Sequence, residues 1–200
     1  INGKVGATTI SSLKVDAFII GFNHNSGKEG SNRIHFLLGK ISGKFVGLVD
    51  SSYSGTTSTS GAFTMNTSNT NSGGWGSSQM RSKVLGSASS PTSPTANTLM
   101  AALPSDLRAV MKSCTKYTDN KGSGNTASNV SSTTDYLFLL SEYEVFATHQ
   151  YCNDAEPNYQ AQYDYFKAGN SKVANKHSAT GTAAVWWLRS PNFYYIYYYY

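Results

Sequence analysis

The sequence predicts an α+β fold made of short antiparallel strands, two modest helices and long polar loops. Three observations carry this expectation. Aliphatic residues are sparse while Ser, Thr, Asn and Gly are abundant, which suits short strands joined by long loops. Apolar runs with strand character stand near both ends of the chain, and two amphipathic stretches stand between them. Two hundred residues fit one domain with room for a sizeable core, so residues 1–200 are taken as a single domain.

In chain order, Lys14 to Phe22 has a strongly apolar middle and reads as a strand, closed by the polar turn Asn23-His24-Asn25-Ser26-Gly27. Arg33 to Gly39 and Phe45 to Asp50 read as two further strands of a hairpin. Asp50 to Gly61 and Asn66 to Gly74 are polar loops. Trp75, Met80, Val84 and Leu85 predict a short amphipathic helix with Arg81 and Lys83 late in it, where they suit the dipole, and Gly86 stops it. Ser87 to Asn97, with Pro91 and Pro94, is a linker loop.

A second helix is expected over Pro104 to Cys114, with Pro104 in the first turn and Leu107, Val110 and Met111 on one face. Asp119 to Thr133 reads as loop and Tyr136 to Leu140 as a fully apolar strand. Ser141 then caps a helical turn opened by Glu142, Tyr143 and Glu144. Gln150 to Phe166 is polar and tyrosine-rich, and Lys172 to Thr182 is a lysine-bearing loop.

The net charge of +5 comes from 16 basic and 11 acidic residues scattered along the chain. Without a clustered basic face, we expect no nucleic-acid partner. No apolar run is long enough to span a bilayer, so no membrane insertion is expected. The chain opens at Ile1 rather than methionine, and we expect it to be part of a longer polypeptide. Cys114 and Cys152 are too few for a disulfide framework; one bond or two buried thiols are both open.

Chemical motifs are weak. Ser11-Ser12-Leu13-Lys14 has the spacing of a serine nucleophile beside a lysine, but its companion elements are absent. Gly122-Ser123-Gly124-Asn125-Thr126-Ala127 fits a dinucleotide fingerprint without a preceding strand or a following helix. His24, His35, His149 and His177 lack metal-ligand spacing, and His35 reads as a satisfied strand residue. Glu142 and Glu144 read as charges at a helix N-terminus. Glu156-Pro157-Asn158 matches a calcium and sugar tripeptide, yet one tripeptide supplies two of the six or so oxygens that a hard cation needs. No metal or other cofactor and no catalytic residue is therefore expected.

The last stretch is the most unusual. Trp186-Trp187-Leu188 reads as a buried strand, stopped by Pro191 after Arg189 and Ser190. There follow Asn192, Phe193, Tyr194, Tyr195, Ile196, Tyr197, Tyr198, Tyr199 and Tyr200. Six of the chain's fourteen tyrosines fall in the final seven positions, too many hydroxyls for a core strand to satisfy. Tyrosine is favoured at selected binding surfaces, because it offers large rigid contact area with few rotors. These nine residues are the expected ligand-binding segment.

Four blocks come in the order of a known domain: Asn69 to Trp75 with Met80-Arg81, Leu103 to Leu107, Leu137 to Val145, and Trp186 to Pro191. In these the chain resembles the C-type-lectin-like domain of phage tail and bacterial surface proteins, over about Val15 to Tyr200. Some members are variable proteins of diversity-generating retroelements. The resemblance implies a compact antiparallel sheet flanked by two helices, no catalytic residues, and a ligand surface after the W-L-R-S-P block. Adenine-directed mutagenesis of Asn codons there yields Tyr, Ile or Phe, and the tail holds only Asn, Phe, Tyr and Ile. The family continues with closing strands, which are expected beyond Tyr200. The implied function is a non-enzymatic receptor-binding module on a virion tail tip or bacterial surface, in a homo-oligomer, with trimers typical of such tips. Its partner would be a host cell-surface protein or glycan. The alternative is a structural or decoration domain whose tyrosines pack on a neighbouring subunit. A third reading, an enzyme related to formylglycine-generating proteins, would need Cys114 and Cys152 to be reactive.

Overall fold

A computed structural model describes residues 1–6, 8–48, 63–66, 68, 70–120 and 125–192. Among them the architecture is α+β, with four small antiparallel sheets and several short helices. Strands β1 (Gly3–Val5) and β2 (Thr8–Ile10) form one hairpin. Strand β3 (Asp16–Phe22) pairs with β4 (Ile34–Ile41), and α1 (Ser26–Glu29) fills the connection between them. β5 (Lys44–Phe45) adds two residues to the same sheet. The expected third strand is thus shorter than Phe45 to Asp50: the ladder ends at Phe45, and Val46, whose amide still donates to Gly39 of β4, forms an isolated bridge to Asn175; Val49 and Asp50 lie outside the described residues.

The first expected helix is broken in two. A turn of α-helix, α2 (Gly74–Ser77), is followed by a π-helical stretch over Met80–Leu85. The break falls at Ser78, whose hydroxyl donates to the Trp75 carbonyl and accepts from the Arg81 amide. Gly74 has φ +54°, and a Cβ there would collide with the Asp119 carbonyl, so the close approach of α2 to the next sheet requires glycine. Gly86, at φ +66°, ends the stretch as expected.

Two four- to six-residue helices follow, α3 (Leu99–Ala102), capped by Thr98, and α4 (Ser105–Val110). The predicted helix over Pro104 to Cys114 therefore ends early and buries none of its residues, with Leu107 and Val110 exposed. Cys114 instead begins β6 (Cys114–Asp119), which pairs over six positions with β7 (Val130–Asp135). Within the region expected as loop over Asp119 to Thr133, Asp119 and Val130 to Thr133 are strand instead and Ala127–Asn129 form a 3-10 turn, while residues 121–124 lie outside the described residues. Its strand is built from Val, Ser and Thr, where β-branched threonine supplies strand propensity without an apolar signal.

Tyr136 to Leu140, expected as a strand, has no ladder partner among the described residues. Its backbone is satisfied piecemeal: the Tyr136 amide donates to Ser87, and the Leu140 carbonyl accepts from Arg189. Then come α5 (Glu142–Phe146), α6 (Asp164–Lys167), β8 (Ala174–Asn175) and β9 (Ala183–Ala184). The ladder at β9 stops before the tryptophans, so Trp186-Trp187-Leu188, expected as a strand, has no ladder partner among the described residues. Trp186 and Trp187 are half-buried and anchored through their indole N–H groups, to Lys172 and Phe63 carbonyls, while Leu188 is buried.

Two apolar clusters result. One gathers Val5, Ile10, Met65, Trp75, Met80, Val84, Leu85 and Leu99. The other gathers Ile20, Leu140, Val145, Tyr163, Phe166 and Leu188, and Phe138 packs against both. Trp75 is fully buried and donates its indole N–H to Asp135, which also pairs with Arg81 at 2.8 Å. Trp75→Ala should cost about 3–5 kcal/mol, as full truncation of a buried aromatic does, and half-buried Trp187→Ala clearly less. Denaturant titration of both variants checks this; an equal or reversed ranking would contradict the placement of the core.

Candidate functional site

The structure around the C-terminal segment is organised by charges inside the protein. Arg189 follows the Trp186-Trp187-Leu188 run and is fully buried. A guanidinium has five N–H groups in a fixed fork. Here two go to Glu144, Nη1 to Oε2 at 2.5 Å and Nη2 to Oε1 at 2.8 Å. The others reach the Thr118 hydroxyl and the carbonyls of Leu139 and Tyr117. Its backbone amide donates to Leu140.

Glu144 is placed by its own helix start. Ser141 accepts from the Glu144 amide and Glu144 accepts from the Ser141 amide, a capping box that fixes the carboxylate beside Arg189. Lys116, on β6, is also fully buried and donates to Glu144 at 2.9 Å, Glu29 at 2.6 Å and the Tyr163 hydroxyl at 2.9 Å. Two carboxylates and two cations thus balance, with every donor of Lys116 and Arg189 used. Burial works against the Glu144 carboxylate, yet Arg189 and Lys116 outweigh it and hold its carboxyl well below the usual range.

A second group adjoins it. Ser190 donates to Glu156 Oε2 at 2.8 Å and accepts from the Glu142 amide. Glu156 also accepts from the Asp119 amide and Gln160, while Glu142 accepts from three successive amides, Gln150, Tyr151 and Cys152. Burial pushes the Glu156 carboxyl up to about 7.

Among the described residues, two groupings bring possible metal donors within 4.8 Å of one another: Glu29, His35 and Cys114, and His24, Glu29 and Glu144. Neither suits a cation. The Lys116 ammonium already bridges the two carboxylates, and burial pushes the Cys114 thiol up to about 12, far from the thiolate a metal needs. Cys152 is raised as well, chiefly by burial, and both cysteines are free.

Of the residues expected to bind ligand, Asn192 is 8% exposed and its carbonyl accepts from Asn71, so its backbone belongs to the scaffold. Phe193, Tyr194, Tyr195, Ile196, Tyr197, Tyr198, Tyr199 and Tyr200 lie outside the described residues. Glu156 faces the interior while Asn158 is exposed, so the Glu156-Pro157-Asn158 tripeptide does not present its two side chains together. His35 is buried and bonded through Nδ1 to Tyr163 at 2.8 Å, so the expectation of a satisfied strand residue holds for one ring nitrogen only, and Nε2 has no hydrogen-bond partner. Sequence reading missed Lys116, which looks like one more scattered lysine. Arg189 was visible only as part of a motif.

Residues 56–200 match the DUF6273 family, a domain of unknown function, and the chain belongs to that family. No curated protein matches the chain. No solved structure matches it either.

Ser190→Ala should cost about 1–3 kcal/mol in a denaturant titration, because it strips a donor from buried Glu156 and an acceptor from the Glu142 amide. A loss under about 0.5 kcal/mol would contradict its bridging role.

The pH dependence follows from signs. Burial raises Glu156 to about 7 and Glu29 to about 6, so each weakens the fold as pH rises from 4.5 through those values. Burial lowers His24 and His35 to about 4, so their contribution is full above 6.5 and is lost as pH falls toward 4. The two pairs offset each other. Glu144 contributes stability that is present above 4.5 and lost in acid. Global stability should therefore be nearly level from pH 5 to 7 and fall below pH 4.5. Urea titrations at stepped pH check this, and a slope of about 1.4 kcal/mol per pH unit across 5–7, one net proton, would contradict it.

Proposed function

We propose that the domain is a non-enzymatic binding module that presents the segment after Pro191 from a rigid base. One observation carries the reading: the residues leading into the aromatic run are held by a saturated buried charge network. Arg189 and Ser190 are both buried and fully engaged, and Asn192 is tied to Asn71. A preorganised base lowers the ordering cost of binding, which is how a short aromatic segment reaches useful affinity. The segment's composition, tyrosine with Phe and Ile, supports contact with a protein or glycan receptor. Two buried cysteines with raised pKa speak against the formylglycine-type reading. The finer assignment is a C-type-lectin-like domain of a phage tail tip or bacterial surface protein, in a homo-oligomer. It rests on the resemblance and on the Asn-to-Tyr, Ile or Phe codon logic.

A second reading has its own observation. Ile19, Phe22, Ile34 and Phe36 of the β3–β4 hairpin are exposed, a grouping of apolar side chains that suits an assembly contact. This favours a structural domain packed on a neighbouring subunit.

Replacing Tyr194, Tyr197 and Tyr199 together by serine separates the two. Under the binding reading, adsorption to a panel of bacterial cells should fall at least about 30-fold with unfolding unchanged, since aromatic anchors dominate binding energy. Loss of oligomeric state or of melting temperature, with adsorption following it, would sink that reading in favour of the structural one.

A further inference from the structure

Two buried histidines sit where the nearest carboxylates are already engaged by Lys116 and Arg189, and Asp164, at the surface, is the one facing acid outside that network. His24 follows β3 and His35 stands on β4, 6% and 5% exposed. Their rings are 5.8 Å apart, and His24 stacks on Tyr163 at 3.6 Å. The Tyr163 hydroxyl accepts from Lys116 and stands 2.8 Å from His35 Nδ1, so its own proton is available to that nitrogen. Nε2 of each ring has no hydrogen-bond partner.

The groups around them come from every neighbouring element. Glu29 lies on α1, Arg33 precedes β4, Cys114 and Lys116 lie on β6, and Glu144 lies on α5. Tyr163, Asp164 and Arg189 complete the set. Glu144 is taken by Arg189 and Lys116, and Glu29 Oε2 by Lys116. Glu29 Oε1 stands 3.7 Å from His24 Nε2, beyond hydrogen-bond reach, and is shared with Asn25.

We infer that His24 and His35 form an acid-sensitive latch that holds the Asp16–Ile41 hairpin, with α1, against the rest of the domain. Mild acid loosens this hairpin locally while the remainder stays folded. Opening the hairpin frees two imidazoles that burial holds at about 4, so opening takes up two protons below pH 6.5. It also frees Glu29, raised to about 6 by burial, which releases up to one proton. The balance is about one proton gained, so local opening should rise about 50-fold from pH 7 to pH 5. Global unfolding also frees Glu156, which releases a further proton and cancels the gain. Local and global behaviour therefore part company.

Hydrogen exchange on the full chain at pH 7 and pH 5, corrected for intrinsic rates, reads this directly. Amides within Asp16–Ile41 should lose about 50-fold in protection while those of Cys114–Asp135 hold within about threefold. Unchanged protection in the hairpin, or an equal loss in both regions, would overturn the latch. His24→Gln with His35→Gln should abolish the loss of protection and turn it into a gain of roughly eightfold at pH 5, since only Glu29, held at about 6, is left to titrate. If that variant does not fold, an NMR titration of the native imidazoles decides: both should titrate below about pH 5, and either one near its free value refutes the inference.

Discussion

The Glu144–Arg189 pair is the contact on which the rest of the molecule depends. A buried ion pair is a poor source of stability by itself, because desolvation costs about what the attraction returns. Its value here is in what it joins. Glu144 is fixed by the Ser141 capping box, Arg189 by the carbonyls of Tyr117 and Leu139, and Lys116 extends the network to Glu29. Four parts of the chain are thereby held in one arrangement: α1, β6, α5 and the segment entering Pro191. With aliphatics sparse and the apolar interior split into two clusters, a specific polar junction fixes what a larger core would otherwise fix.

That junction also bears on where the domain begins. The family match covers residues 56–200, yet Glu29, His24, His35 and Ile20 come from before it and are buried against residues inside it. The β3–β4 hairpin is therefore integrated with the matched region through a salt bridge and the second apolar cluster. It carries the exposed apolar face as well, so one side of it is bound to the domain and the other is open to a neighbour.

Much of this was legible where local chemistry decides structure. The Ser141 cap with acidic residues behind it, the apolar β3 and β4 and the Gly86 stop all follow from side chains acting within a turn or a strand. What could not be read depended on distant partners. β6 and β7 alternate polar Thr, Ser and Lys, and only their pairing makes them strands. Tyr136 to Leu140 and Trp186 to Leu188 look like strands because they are apolar, but that signal reports their packing in the two clusters, and neither has a ladder partner among the described residues. Burial of Lys116 and Arg189 was invisible for a related reason: a charge is buried only when its counter-charges converge, and Glu29, Glu144 and Lys116 are far apart in sequence.

A double-mutant cycle on Glu144 and Arg189 tests the central claim most directly. Glu144→Gln, Arg189→Met and the pair together would be unfolded in denaturant beside the native chain. If the network is the junction, each single change strands a buried charge and costs about 3–5 kcal/mol, and the double variant recovers a large share, giving a coupling of about 2–3 kcal/mol. Losses that add within about 0.5 kcal/mol would show that the two residues act independently, and the account of how this fold is held would fail.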